Sequence, residues 1–281
     1  MTMQLRIVHS TTFEYDGLAT ASYNQARMTP RNTPHQIVAH TRLEVSPTPW
    51  TYSYEDYWGT KVTSFEVLDP HASLTVVATC TVHTFRPPTP EPRLTWDELR
   101  SAAAGDRWTE YLTLTPRVQP PPDLTDLVRE LAAGSALPGE AARAVCGLIH
   151  DQVEYRTDST HVRSHASDAW AQRAGVCQDM AHLVIGGLRS LGIPARYVSG
   201  YLHPRREPMI GESVRGESHA WVEWWDDGWH PFDPTNNREP HDRYVLVATG
   251  RDYRDVRPLS GIYTGAGTQR MQVDVHVTRL A

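Results

Sequence analysis

Lysine is almost missing from this chain. Lys61 stands alone among 27 basic residues, and the rest are arginines. Such a chain offers almost no side-chain amine of its own to an acyl donor. There is no long basic run either, and 33 acidic residues leave a formal net charge of −6. A nucleic-acid groove needs a dense basic face, so that class of partner is excluded. No stretch approaches 18 apolar residues in a row, so no membrane-spanning helix is expected. The N-terminus, MTMQLRIVHSTTFEY, lacks the apolar centre of a secretory leader and alternates at once. A soluble protein, expected in the cytoplasm, follows.

Cysteine is scarce too. Cys80, Cys146 and Cys177 are odd in number, and their spacing matches no metal knuckle or disulfide framework. Reduced thiols are expected. No H-x-H or HExxH motif occurs, and no calcium loop of the D-x-[DN]-x-[DN]-G form. Cys177, His219, His230 and Asp233 supply ligand chemistry, but His230 alternates to the side of its strand opposite Asp233. No metal and no cofactor are expected.

What is present divides into two parts. Residues 3–85 read as strands: MQLRIVHSTTFEYD alternates, and TRLEVSP, KVTSFEVLD and SLTVVATCTVHTF are rich in Val, Thr and Phe. Prolines at 30, 34, 47, 49 and 70 sit between the runs. An antiparallel β module is expected, most simply a sandwich. The stiff segment RPPTPEP, 86–92, marks a boundary, which places a β domain at 1–88 and a second domain at 89–281. In the second part, WDELRSAAAG, DLTDLVRELAAG and PGEAARAVCGLIHDQVEY read as helices. SDAWAQRAG reads as a short helix closed by Gly175. After the Cys177 segment come ARYVSGYL, ESHAWVEWW, GWHPFDP, RYVLVATG and MQVDVHVTRL, all strand-like. The fold class is α+β.

Cys146 falls inside a helix and reads as a core thiol. Cys177 differs. It lies in GVCQDMAHLVIGGLRSLGIPARYVSGY, residues 175–201, where apolar residues recur at 180, 181, 184, 185 and 188. That stripe places the cysteine in the first turn of a buried helix. Unpaired N–H groups and the helix dipole there favour a thiolate, and the same N–H groups can hold an oxyanion. Gln178, Asp179 and His182 add polar company.

A thiolate needs a base. His219 opens a strand whose alternate residues are Trp221, Glu223 and Trp225, and Asp226, Asp227 and Gly228 form the turn. A three-residue loop with Gly228 left-handed sets Trp225 opposite Trp229. Asp233 then falls opposite Trp221, diagonal to His219 on one face. A two-residue loop would put Asp233 on the wrong face. With the first register, Cys177 attacks a carbonyl, His219 moves the proton and Asp233 orients the ring.

At these residues the chain resembles the bacterial transglutaminase-like superfamily, in the branch with its own N-terminal β domain. The matching pieces are GVCQDMAHLVIGGLRSLGIPARYVSGYL, SHAWVEWWDDGWHPFDPTNN and VATGRDYRDVRPLSG, with LRIVHSTTFEYDG and NQARMTPR near the start. The resemblance implies a β-sandwich-like N-terminal domain followed by a papain-like, transglutaminase-like thiol core. It places the nucleophile at Cys177, the histidine at His219 and the aspartate at Asp233. The backbone N–H of Cys177 is the first oxyanion donor. Trp170 or Gln172 is the candidate for the second, with Gln178 and Asp179 in support.

Members of the superfamily share an acyl-enzyme and differ in what attacks it. Water gives a hydrolase acting on peptide, isopeptide or other amide substrates; a primary amine gives a protein-glutamine transglutaminase. A non-catalytic scaffold module is the remaining alternative. Nothing in the sequence marks an acceptor-lysine site, which favours hydrolysis. His182, Trp221, Arg251, Asp252 and Tyr253 are expected at the cleft rim. Residues 203–218, HPRREPMIGESVRGES, read as a polar loop beside His219, either a lid or a hairpin extension. An open edge strand gives a route to a homodimer.

Overall fold

The structure is a computed structural model that describes residues 2–87, 91–103, 106–161, 164–265 and 268–281. The boundary expected between 88 and 89 lies outside the described residues, as does Gly105 at the end of the first expected helix.

Five strands open the chain: β1 (Thr2–Ala26), β2 (Gln36–Ser46), β3 (Trp50–Glu55), β4 (Lys61–Val67) and β5 (His71–Phe85). The helices are α1 (Trp96–Ala103), α2 (Thr109–Leu112), α3 (Pro122–Ala133), α4 (Pro138–Gln152), α5 (Ala166–Gln172) and α6 (Cys177–Ser190). Two short strands, β6 (Glu154–Tyr155) and β7 (Ala174–Gly175), pair in parallel among them. The chain ends with β8 (Ala195–Leu202), β9 (Ser213–Gly216), β10 (Ser218–Trp225), β11 (Trp229–Phe232), β12 (Tyr244–Gly250), β13 (Leu259–Gly265) and β14 (Gln269–Arg279).

β1 serves two sets of neighbours. Its first half runs between β5 and β14, and residues 19–26 run between β13 and β4. The register shifts between Glu14 and Ala19, where the partners change. The result is one eight-stranded antiparallel sheet, ordered β2-β5-β1-β14-β9, with β13 and β4 joined to the second half of β1 and β3 paired to β4. Both halves close on Met28, Phe65, Val67, Leu74 and Val76, with Phe13 and Tyr15 packed against them. This is the form the sandwich-like module takes.

The sheet draws on both ends of the chain. MQVDVHVTRL, read as one more strand of the second part, forms β14 against β1, with Val275 and Val277 turned inward beside Leu5 and Ile7. Alternation shows which face is buried; it does not show which partner covers the edge. The 203–218 segment carries β9, hydrogen-bonded to β14, so part of it is docked as an added strand.

The second sheet is ordered β11-β10-β8-β12, and its pairs are antiparallel. The helix α6 packs against β10 and β8, and every residue from Gln178 to Arg189 is buried. One apolar cluster joins Leu5, Ile7 and Val82 of the first sheet to Leu183 and Val184 of α6, Val145 and Ile149 of α4, and Val222 and Val245 of the second sheet. Each such aliphatic side chain contributes roughly 1.5–3 kcal/mol relative to exposure. Among the described residues no helix is long and apolar enough to cross a membrane.

The short helix before Cys177 stops earlier than expected. Arg173, at φ 50°, ends α5 in the left-handed region, and Gly175 lies in β7 instead. Gly175 is needed for a different reason: a Cβ there would stand 2.8 Å from the Asp179 Cβ.

Candidate active site

Cys177 is the first residue of α6, and Val176 before it is extended (φ −106°, ψ −179°). Asp179 fastens this turn. Its Oδ2 accepts the Val176 N–H at 2.9 Å and the Thr160 hydroxyl at 2.5 Å. Burial nonetheless pushes the Asp179 carboxyl up, and among the described residues its Oδ1 has no partner. The N–H groups of Asp179 and Met180 both donate to Val176 O. Among the described residues, those of Cys177 and Gln178 have no backbone acceptor outside their own helix, as at the open start of a helix.

The β10–β11 hairpin has the three-residue register, with Trp225 opposite Trp229 and Val222 opposite Phe232. The left-handed residue is Asp227 (φ 55°) and not Gly228. Aspartate tolerates that conformation because its short polar side chain bonds locally. The register delivers Asp233 to His219: His219 Nε2 lies 2.7 Å from Asp233 Oδ2. Asp233 is fully buried and also accepts from the Tyr244 hydroxyl (2.7 Å), Asn236 Nδ2 (2.7 Å), the Thr235 N–H (2.9 Å) and the Asn236 N–H (3.2 Å).

These contacts set the charges. Burial alone would raise the Asp233 carboxyl, but the hydrogen bonds and charge of His219, with Tyr244 and Asn236, hold it below the usual range. Burial alone would lower the His219 pKa. Its hydrogen bonds to Asp233 and Cys177, and their charges, instead raise it to about 10. With Nε2 given to Asp233, Nδ1 is the ring nitrogen left for Cys177.

The remaining expected site residues are more dispersed. Trp170 gives its indole N–H to Asp123 Oδ2 at 2.7 Å, so that donor is engaged elsewhere. Gln172 is exposed at the end of α5, while Gln178 is buried beside Cys177. His182 is no rim residue: it is fully buried, accepts the Tyr253 N–H at 3.2 Å, and is lowered to about 3 by burial and nearby arginines. Trp221 is also fully buried. It lies under His219, near-parallel with centroids 6.3 Å apart, and fills the space over Gly200, where a Cβ would come 2.7 Å from its ring. Asp252 is buried and caps the turn 253–255 while accepting from Thr115 at 2.7 Å. Arg251 pairs with Asp255 at 2.9 Å. Tyr253 is partly exposed and within electrostatic range of Cys177.

Three contributors escape sequence reasoning. Tyr244 and Asn236 hold Asp233, and Tyr155 lies half-exposed within electrostatic range of Cys177. The run Pro234-Thr235-Asn236 carried a signal, since such residues fold back on a preceding aspartate. Tyr244 and Tyr155 carried none. Among the described residues no three His, Cys, Asp or Glu side chains are grouped to hold a metal ion.

Comparison with known proteins adds family context. Residues 5–83 match the bacterial transglutaminase-like N-terminal region, and residues 125–234 match the transglutaminase-like superfamily. An uncharacterized protein of Mycobacterium leprae is 44% identical over 278 residues, covering 99% of both chains. A protein-glutamine gamma-glutamyltransferase of Pseudomonas aeruginosa is 38% identical over 74 residues, which is 24% of this chain and 11% of that one. Among solved structures, a Cytophaga hutchinsonii protein provisionally classed as a cysteine protease superposes with a TM-score of 0.79 at 22% identity. It covers 100% of this chain and 92% of its own, and at that identity the likeness is one of fold.

Proposed function

This chain belongs to the bacterial transglutaminase-like superfamily, and from that premise we propose that it is a cysteine-dependent hydrolase of peptide, isopeptide or related amide bonds. The observation that carries the reading is a hydrogen-bonded relay at a helix start: Cys177 beside His219, and His219 2.7 Å from the buried Asp233.

With the proton already on His219 Nδ1, the Cys177 sulfur attacks the amide carbonyl carbon as the thiolate. The oxygen takes up negative charge and is held by the N–H groups of Cys177 and Gln178. The imidazolium then protonates the leaving nitrogen, the C–N bond breaks, and a thioester remains. Water attacks the thioester, His219 accepts a proton from it, and the carboxylic acid leaves as Cys177 is released. Asp233 keeps the ring in one orientation and offsets its positive charge through both half-reactions.

The Pseudomonas relative favours a second reading, in which a primary amine replaces water and the product is a new amide. One experiment separates the two. Wild type and Cys177→Ala are incubated with glutamine, γ-glutamyl and ordinary peptides, with and without a labelled amine, and the products are read by mass. Cys177-dependent cleavage that persists with amine present supports hydrolysis. Cys177-dependent amine incorporation replaces it with transfer. A set of products independent of Cys177 removes both.

A further inference from the structure

Asn236 and Arg238, on the turn after Asp233, line a cavity of about 660 Å³. That volume is in the range of small-molecule sites. Its wall carries Arg206, Arg238, Arg243 and Arg279, with His241, against two carboxylates, Glu207 and Asp242. Several half-buried arginines elsewhere meet carboxylates, Arg27 with Asp56, Arg196 with Glu223 and Arg251 with Asp255, while among the described residues the buried Arg189 donates to backbone carbonyls alone. Here, among the described residues, none of the four guanidiniums has a side-chain carboxylate at ion-pair distance.

Most of their donors go to backbone carbonyls and neutral side chains. Arg243 donates to His203 O (2.9 Å) and Arg205 O (2.6 Å), and to His241 Nε2 (3.1 Å). Arg238 donates to Asn236 Oδ1 at 2.7 Å, and its Nε is buried without a partner. Arg279 donates to Pro208 O and, through Nε, to the Ala281 oxygen, each at 3.1 Å, and Arg206 is exposed at the mouth. Burial and the charges of Arg238 and Arg206 hold the Arg243 guanidinium below its ordinary value. A concave site that concentrates positive charge on a chain of net charge −6 focuses its field on an anion. Guanidinium forks match the paired oxygens of carboxylates and phosphates.

The cavity is wired to the relay. Asn236 stands between them, taking Arg238 on Oδ1 and giving Nδ2 to Asp233 Oδ2. The backbones of Asp233 and Arg238 exchange hydrogen bonds in both directions, at 2.8 and 3.2 Å. We infer that this cavity is a binding site for a small, multiply charged oxyanion, and that Arg238 and Asn236 pass its occupancy to Asp233. The site needs no turnover, so it stands or falls apart from the hydrolase reading.

Citrate and pyrophosphate are titrated into the full chain by calorimetry, at ionic strength held constant with KCl. One saturable site is expected, weakened tenfold or more by Arg206→Glu at the exposed mouth and by Arg238→Gln inside. Tighter pyrophosphate binding assigns the site to phosphoryl ligands, and tighter citrate binding to carboxylates. Heats that vanish at constant ionic strength, or affinities unchanged in both variants, overturn the site. The link is read separately, from the pH profile of Cys177 alkylation by iodoacetamide. A midpoint that moves with bound anion in wild type but not in Arg238→Gln supports it. A profile indifferent to the anion overturns it.

Discussion

One His–Asp pair is approached by two cysteines, and the two live in opposite surroundings. Cys146 lies in the interior of α4, fully buried, where burial and the Asp233 charge push its thiol far up. Cys177 opens α6, half-buried, on the side of the pair that holds His219. The thiols are chemically the same. What differs is the helix position and the end of the pair each one meets. A mid-helix sulfur finds its neighbouring N–H groups already bonded and faces an anion. A first-turn sulfur finds free N–H groups and a cation.

The contrast can be broken most directly by deletion. On a substrate found with the peptide panel, Cys177→Ala is expected to lower kcat/KM by about 10⁴-fold or more, the scale seen when a nucleophile is removed. Cys146→Ala should leave it within about twofold, and should cost on the order of 1 kcal/mol of stability for the small cavity it leaves, read by urea unfolding. Equal losses would mean that Cys146 is part of the chemistry.

Cutting the pair itself comes next. Asp233→Asn keeps an acceptor for His219 but removes the charge. A loss of about 10²-fold in kcat is expected, with little change in KM, because the carboxylate orients the imidazolium that must protonate the leaving nitrogen. Tyr244→Phe removes one of five hydrogen bonds to the same carboxylate. It should cost roughly 1 kcal/mol of orientation, about a fivefold loss. A Tyr244→Phe defect as large as that of Asp233→Asn would move Tyr244 from support into the reaction.

Local pattern made part of this legible. The stripe after Cys177 announced a buried helix with the cysteine at its start. The alternation of Trp221, Glu223 and Trp225 fixed a face, and one choice of loop length brought Asp233 to His219. Non-local pairing hid the rest. Tyr244 reaches Asp233 from β12, two strands from β10, and nothing at residue 244 announces that neighbour. β14 reads as a strand anywhere, and only assembly seats it against β1. Trp221 alternates with His219 as a cleft wall would, yet Gly200 opens space beneath the histidine and the indole fills it. The cavity arginines at 206, 238, 243 and 279 come from three segments, so no single motif could have gathered them.

The smallest expected effect sharpens the same lesson with two buried histidines. His182 sits inside α6 and is lowered to about 3 by burial; His219 is raised to about 10 by its partners. Between pH 3 and 6.5 the unfolded chain protonates His182 while the folded chain does not, so stability falls as pH falls through that window. Between pH 6.5 and 10 the folded chain keeps the His219 proton that the unfolded chain releases, so stability falls as pH rises. Each group's contribution is therefore full near pH 6.5 and is lost on opposite sides. In a series of Tm against pH, His182→Gln should flatten the acid limb and leave the alkaline limb alone. His219→Gln should do the reverse, each change being read as a loss of slope in one limb of the profile. A single limb altered by both variants would show that the two histidines titrate as one site, and the opposition of their surroundings would no longer hold.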